Sequence, residues 1–171
     1  MPLPDRPSSQ VPARRPHPLA ALLAAAAVAA AVAAPLAACA PSISLTAAPY
    51  ATDPLCASIV LAVPDRLGNL DRITASAQAT AAWGTTAQAV TLRCGVEPPG
   101  PTTDQCQAIA DVTGASVDWI VVEEPGTGDW VFTTYGRTPA VEVRVPSGTS
   151  GAAVVDLNRA VSAAPQTRHC Y

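Results

Sequence analysis

Residues 117–146 read VDWIVVEEPGTGDWVFTTYGRTPAVEVRVP, and this stretch decides the fold. It contains three runs rich in β-branched and aromatic residues, at 117–122, 130–135 and 140–145, separated by two segments that contain Pro and Gly. Such runs between turn-forming residues are typical of strands joined by turns. In the third run, valines alternate with charged residues, which is the period of a strand with one buried face. The stretch therefore predicts a three-stranded antiparallel meander.

A fourth strand is predicted upstream, over residues 90–96, where apolar side chains alternate with polar or small ones along VTLRCGV. The proline-rich segment 98–101 cannot continue this strand, because proline lacks the backbone donor. After it, Asp104 is predicted to cap a single helical turn that runs through Ala110 and carries Cys106.

One helix is predicted at each end of the domain. Asp53 and Pro54 are a typical N-cap and first helical residue, and Pro64 ends the helix that they begin. Near the C-terminus, three apolar residues at helical spacing mark an amphipathic helix that ends before Pro165: Val154, Leu157 and Val161.

The predicted fold class is α+β. About four antiparallel strands form a meander, and the N-terminal and C-terminal helices pack on one face of the sheet. Residues 53–171 are interpreted as a single domain of this class. The polar stretch 65–80 predicts no regular element beyond a turn at Gly68-Asn69.

The first 38 residues are typical of a bacterial signal peptide of the lipoprotein type. Three arginines precede the run 19–34, which contains no polar side chain. The tetrapeptide Leu36-Ala37-Ala38-Cys39 follows and resembles a lipobox, in which the cysteine thiol accepts a diacylglycerol. This pattern predicts an extracytoplasmic protein whose partner is the membrane, anchored to its outer face by a lipid on Cys39.

Two alternatives remain for the N-terminus. Ordinary signal peptidase could cleave after Ala40, or the stretch 19–40 could stay as an uncleaved transmembrane anchor. In the lipoprotein interpretation, residues 39–52 form a flexible tether that lets the domain stand about 40 Å off the bilayer.

Five cysteines are present, and assigning Cys39 to lipid leaves an even set of four. Two disulfides are expected in an oxidising compartment. Of the three possible pairings, Cys94–Cys106 and Cys56–Cys170 are favoured, because they close a Pro/Gly-rich loop and tie the ends of the domain. A four-thiolate zinc site is the alternative, but the chain has no C-x-x-C pair, so no metal is expected.

Composition excludes several classes of function. From Cys39 onward there are twelve acidic residues, seven arginines and no lysine, a net charge of −5, so nucleic acid is not an expected partner. His169 is the one histidine of that region, and neither a G-x-S-x-G elbow nor a dinucleotide fingerprint occurs. The sequence therefore predicts no cofactor and no catalytic residue, and it favours a protein that is not an enzyme.

Three strings carry a family resemblance: AAWG at 81–84, LRCGV at 92–96 and TYGRTPAVEVRVP at 134–146. Through them the chain resembles an actinobacterial family of exported proteins, the domain of unknown function 3515 family, from Asp53 to Cys170. The resemblance implies a signal- or membrane-anchored envelope protein. It implies no activity and no catalytic residue.

Two sets of side chains are candidates for binding. Arg137 lies in a predicted turn beside Tyr135, where its guanidinium can hold a carboxylate or phosphate, or cap carbonyls of its own turn. The three tryptophans form either a stacking surface for glycan or peptide, or the core; they are Trp83, Trp119 and Trp130.

The leading functional hypothesis is a non-enzymatic envelope module that binds or supports an envelope protein or a cell-wall component. One alternative is an envelope hydrolase that uses carboxylates, with Asp118, Glu123 and Asp129 as candidates. Another is an accessory subunit of a membrane complex.

Overall fold

A β-sheet dominates the computed structural model, which describes residues 41–171. Residues 1–40, with the predicted signal peptide and the lipid-accepting Cys39, lie outside the described residues. Nine strands are present in the described region: β1 Ser42–Ile43, β2 Arg66–Leu67, β3 Leu70–Ala75, β4 Thr80–Gly84, β5 Ala89–Val96, β6 Gln105–Ala110, β7 Ser116–Glu123, β8 Trp130–Thr134 and β9 Ala140–Val145. The helical elements are α1 Pro54–Ala62, a 3₁₀ helix Gly151–Leu157 and α2 Asn158–Val161.

The strands follow the order β1-β3-β4-β5-β9-β8-β7-β6, and β2 pairs with β3 outside this path. Every neighbouring pair is antiparallel except β1 with β3, which is parallel. The sheet is therefore mixed, with β1 at one edge and β6 at the other.

The predicted α+β class with about four strands is wrong, because the domain is mostly β. Residues 105–110, predicted as a helical turn, form β6 and pair with β7 along their whole length. The unassigned stretch 65–80 contributes β2 and β3. These short strands lack a clear alternation of apolar and polar residues, so pairing with neighbours decides their conformation.

Several local predictions agree with the structure. The strands β7, β8 and β9 form the predicted antiparallel meander. Residues 89–96 also form a strand, β5, but it pairs with β9, a neighbour that the sequence did not indicate. Helix α1 begins at Pro54, and the Asp53 carboxylate accepts a hydrogen bond of 2.8 Å from the Leu55 amide. The C-terminal helix is shorter than predicted, since most of it is 3₁₀.

The core lies between one sheet face and the helices, where α1 contacts β5 and α2 contacts β7. Trp83 and Trp119 are fully buried in it, whereas Trp130 is 38% exposed. The three tryptophans therefore do not form one stacking surface. The described helices, moreover, have neither the length nor the apolar character that crossing a bilayer requires.

The segment expected to be a flexible tether, 39–52, belongs to the folded domain from residue 41 onward. It contains β1, and its residues Ala48 and Ala51 are buried. The Tyr50 amide donates to the Gly95 carbonyl at 2.8 Å. The prediction failed because small residues pack closely without leaving a periodic signal.

Two disulfides are present, but the expected pairing is wrong. The bonds are Cys56–Cys94 and Cys106–Cys170. Cys94 faces the core, where α1 brings Cys56, and both are fully buried. Cys106 lies opposite Ile120 of β7 on the other sheet face, where the C-terminal segment crosses. Because β6 is a strand, Cys106 is carried away from Cys94, and the four-thiolate zinc alternative also fails.

Candidate functional site

The sheet face opposite the helices carries a concavity with a volume of about 590 Å³. We call it the polar groove. Its lining combines hydroxyl and amide side chains with charged ones from β5, β9 and the β7–β8 loop. The polar residues that line it are Ser44, Thr46, Thr86, Gln88, Thr91, Arg93, Asp129, Glu142, Arg144 and Ser147. Strand alternation explains the composition, because β5 and β9 turn their apolar residues to the core and their polar residues here.

Opposite charges are paired across the groove floor. Arg93 Nη1 lies 3.5 Å from Glu142 Oε1, its direct neighbour on β9. Arg144 bonds Glu124 through both Nη atoms, one of them at 3.0 Å, and its Nη1 lies 3.7 Å from Asp129 Oδ2. Arg144 holds the pKa of Glu124 below its ordinary value, and the hydrogen bond to Glu124 raises the pKa of Arg144.

Arg93 retains hydrogen-bonding capacity. Its Nε is buried and has no hydrogen-bond partner among the described residues, and its single bond to Glu142 is long. Because a guanidinium offers five donors and the Arg93 side chain is 31% exposed, a ligand in the groove can bind to its Nη atoms without breaking an existing network. The groove therefore suits a polar ligand that carries hydroxyl, amide or carboxylate groups.

Arg137, the residue singled out from the sequence, does not lie in the groove. It is 6% exposed, and its Nη atoms donate to the Ala164 carbonyl, to Gln166 Oε1 at 2.9 Å and to the Ser116 carbonyl at 3.3 Å. Burial lowers the pKa of Arg137, and the nearby Asp118 carboxylate opposes that shift. The guanidinium thus caps carbonyls, although not those of its own turn, and holds the C-terminal segment to the sheet.

Tyr135, the expected partner of Arg137, is also buried, and the Arg168 guanidinium lies 5.8 Å from its ring centroid. Both residues therefore support the segment 166–170, which we call the C-terminal strap. The Thr167 amide donates to the Gly136 carbonyl at 2.7 Å, which fixes the strap in place.

The carboxylates considered for a hydrolase do not converge. Asp118 is buried under the strap, where its Oδ2 accepts from Gln166 Nε2 at 2.9 Å and from the Cys170 amide at 2.8 Å. His169 Nδ1 also lies 3.4 Å from Asp118 Oδ2. Among the described residues, no hydroxyl group bonds this histidine, so there is no serine or threonine that it could activate. Asp129 lies at the groove, and its Oδ1 accepts from the Ser147 amide at 3.0 Å. Within residues 41–171, no three His, Cys, Asp or Glu residues are grouped so that they could hold a metal ion.

Sequence reasoning missed the groove because its parts are far apart in the chain. Arg93 and Glu142 meet only through the pairing of β5 with β9, and residues 44–46 were assigned to the tether. The alternation in β5 and β9 was a usable signal, since it predicts one polar face on two strands. Nothing local indicated that those two strands are neighbours.

Comparison with known proteins yields one match. The model of the family described as "Protein of unknown function (DUF3515)" matches residues 17–170. Neither a curated protein nor a solved structure matches the chain.

Proposed function

We propose that the chain, which belongs to the DUF3515 family of proteins of unknown function, is an exported envelope protein anchored by a lipid on Cys39. Its folded domain acts as a non-catalytic binding or assembly module. The ligand is a polar envelope component, either a protein segment or a cell-wall fragment, that binds in the polar groove.

The polar groove is the observation that carries this proposal. It offers paired charges, hydroxyl groups and the partly exposed Arg93 guanidinium, whose one bond to Glu142 is long. Concave sites with a few convergent polar groups are the usual places for ligands. The alternating signs of charge favour a ligand that carries both donors and acceptors over a simple anion.

The proposed localisation is supported by residues at the start of the chain and by the disulfides. Leu36-Ala37-Ala38-Cys39 follows a long apolar run, and the two disulfides fit an oxidising compartment.

Mass spectrometry of the membrane-extracted protein tests the anchor: we expect a mature chain beginning at Cys39 with acyl mass. The Cys39→Ala variant should lose this mass and leave the membrane fraction. A mature N-terminus at another residue would contradict the proposal.

Crosslinking in intact cells tests the groove. We expect a specific envelope partner or wall fragment to be recovered with the natural chain and lost with the double variant Arg93→Gln, Arg144→Gln. Arg66→Gln is the matched control, because Arg66 is an exposed arginine paired with Asp71 outside the groove. Unfolding midpoints of all three chains show whether the variants fold.

Recovery that is equal in the groove variant and the control would overturn the groove as the binding surface. The alternative of an accessory subunit of a membrane complex is distinguished by the same experiment. In that case the partner recovered is an integral membrane protein present in fixed ratio to this chain.

A further inference from the structure

We infer that the folded domain lies directly against the lipid surface, with the sheet edge formed by β1 and residues 72–75 of β3 facing the bilayer. We call this surface the anchor edge. The inference rests on the proposed lipid at Cys39 and specifies the orientation that follows from it.

The length of chain between lipid and fold is the first argument. Only Ala40 separates Cys39 from Pro41, and the Pro41 carbonyl already accepts a hydrogen bond of 3.2 Å from the Thr74 amide. Two steps of about 3.8 Å between consecutive Cα atoms place Cys39 within about 8 Å of Pro41. The domain therefore has no tether with which to stand off the bilayer.

The second argument is that β1 is held firmly to its neighbours. The Ser76 amide donates to the Ile43 carbonyl at 3.1 Å, and the Leu45 amide donates to Ser76 Oγ at 3.2 Å. Further along, Ala48 and Ala51 are buried against the domain. Peeling this segment away to create a tether would break these bonds and expose the two alanines.

The third argument concerns the basic side chain that lies on β3 next to the point of attachment. Because β1 runs parallel to β3, with Ser42 opposite Thr74, Pro41 lies at the end of β1 that is nearest to residues 72–73. Arg72 Nη2 donates to the Val60 carbonyl at 3.3 Å. A basic side chain at this place suits the region of the lipid headgroups.

This orientation has a consequence for the polar groove. Residues 43–46, which are the last residue of β1 and the three that follow it, line one wall of the groove. The groove therefore opens close to the lipid headgroups, where it can meet polar parts of molecules that are themselves held at the membrane.

The absence of lysine from the chain allows a clean test. Thr74→Lys places a single side-chain amine on the anchor edge, and Val112→Lys places one in the β6–β7 turn, where Val112 is fully exposed. With strands about 4.8 Å apart, the two positions are separated by about 30 Å across the sheet. Each lipidated variant, labelled with an amine-reactive donor, is reconstituted in phosphatidylglycerol–phosphatidylethanolamine vesicles that contain an acceptor on the headgroups.

We expect energy transfer to the headgroups to be at least twice as efficient from the Thr74→Lys variant as from the Val112→Lys variant. The unsubstituted lipoprotein, labelled in the same way, corrects for any reaction at the N-terminal amine. Equal transfer from both positions, in chains whose acyl mass is verified, would overturn the orientation and leave the lipid anchor intact. Absence of acyl mass would overturn both proposals.

A linker insertion tests whether the short connection between Cys39 and Pro41 is the cause of the orientation. Twenty Gly and Ser residues placed between Ala40 and Pro41 have a root-mean-square span of about 25 Å. We expect the difference between the two labelled positions to fall to less than half. A difference that stays unchanged would contradict the short connection as the cause of the orientation.

Discussion

Gly95 shows at the scale of one residue how the N-terminal segment joins the sheet. Its φ of +89° lies in the left-handed region, and backbone atoms of Tyr50 and Ala51 occupy the space that a Cβ would need. It also lies where the register of β5 against β9 shifts between Cys94 and Val96. Only glycine permits both the bulge and the close approach.

We predict that Gly95→Ala destabilises the domain by about 3 kcal/mol, through left-handed strain and overlap with the segment 50–51. Gly114→Ala is the matched control, because Gly114 has nearly the same φ, +88°, but nothing within 4 Å of its added Cβ. It should cost about 1 kcal/mol. Urea unfolding measures both. Equal losses would show that residues 50–51 do not pack on Gly95.

Glu124 links stability to pH. Because Arg144 lowers the pKa of Glu124 in the folded state, this pair stabilises the fold above the ordinary value of 4.5 and loses its effect as pH falls through the lower folded value. We therefore predict that Glu124→Gln lowers the urea midpoint at neutral pH and that its midpoint falls less steeply below pH 4.5.

Glu123→Gln is the control for this pH profile, since Glu123 forms no ion pair among the described residues. Asp111, whose pKa is lowered by its hydrogen bond to Thr113, continues to contribute an acid-dependent slope in every variant. A Glu124→Gln profile parallel to that of the natural chain would contradict the linkage.

At the scale of elements, the two disulfides differ in exposure. Cys56 and Cys94 are fully buried between α1 and β5, whereas Cys106 and Cys170 are half-buried where the C-terminal strap crosses β6. A thiolate must reach a sulfur to reduce it, so access controls the rate. We predict that mild reductant opens Cys106–Cys170 in the folded protein and leaves Cys56–Cys94 intact.

Alkylation followed by cleavage at arginine and aspartate identifies which cysteines have been reduced, because Asp104 separates Cys94 from Cys106. In the loop-entropy model, replacing Cys106 and Cys170 by alanine costs about 4 kcal/mol. The double variant should therefore unfold at lower urea while the other disulfide remains. Simultaneous reduction of both bonds would contradict the predicted order.

Elements were predictable where one strand face is buried and the other is polar. The strands β5 and β9 have that alternation, and so does much of the meander, because each lies in the middle of the sheet with the core on one side. Edge strands were not predicted, because they do not have one buried and one polar face. The residues of β6 are mostly exposed on both faces, so burial imposes no period on QCQAIA.

At the scale of the whole molecule, the folded domain includes residues 41–52, which precede the expected start at residue 53. We predict that a chain beginning at Asp53 is less stable than one beginning at Pro41 by about 2–3 kcal/mol, because it loses the burial of Ala48 and Ala51 and the hydrogen bond to the Gly95 carbonyl.

A chain beginning at Ala47 is the control for this truncation, because it lacks β1 but keeps the buried alanines. Its loss of stability should be the smaller one. Equal stability of the chains that begin at residues 41 and 53 would mean that the segment 41–52 is a tether after all.

For the candidate site, as for the fold, the sequence indicated some features and the structure alone revealed others. Arg137 attracted attention as a lone arginine in a turn, and only the structure shows that its guanidinium bonds Gln166 of the strap and the Ser116 carbonyl. The polar groove is the opposite case, because its residues did not attract attention in the sequence. Its residues Arg93 and Arg144 look like ordinary outward-facing strand residues until β5 and β9 are placed side by side.

The sequence by itself determined the family, the alternating strands of the sheet centre, the capped start of α1 and the even set of four cysteines. Each of these features depends only on residues close together in the chain or on the number of cysteines. The tertiary structure alone decided the remaining strands, the pairing of the cysteines, the inclusion of residues 41–52 and the polar groove. These features depend on contacts between residues far apart in the chain, and no local pattern encodes which distant segments become neighbours.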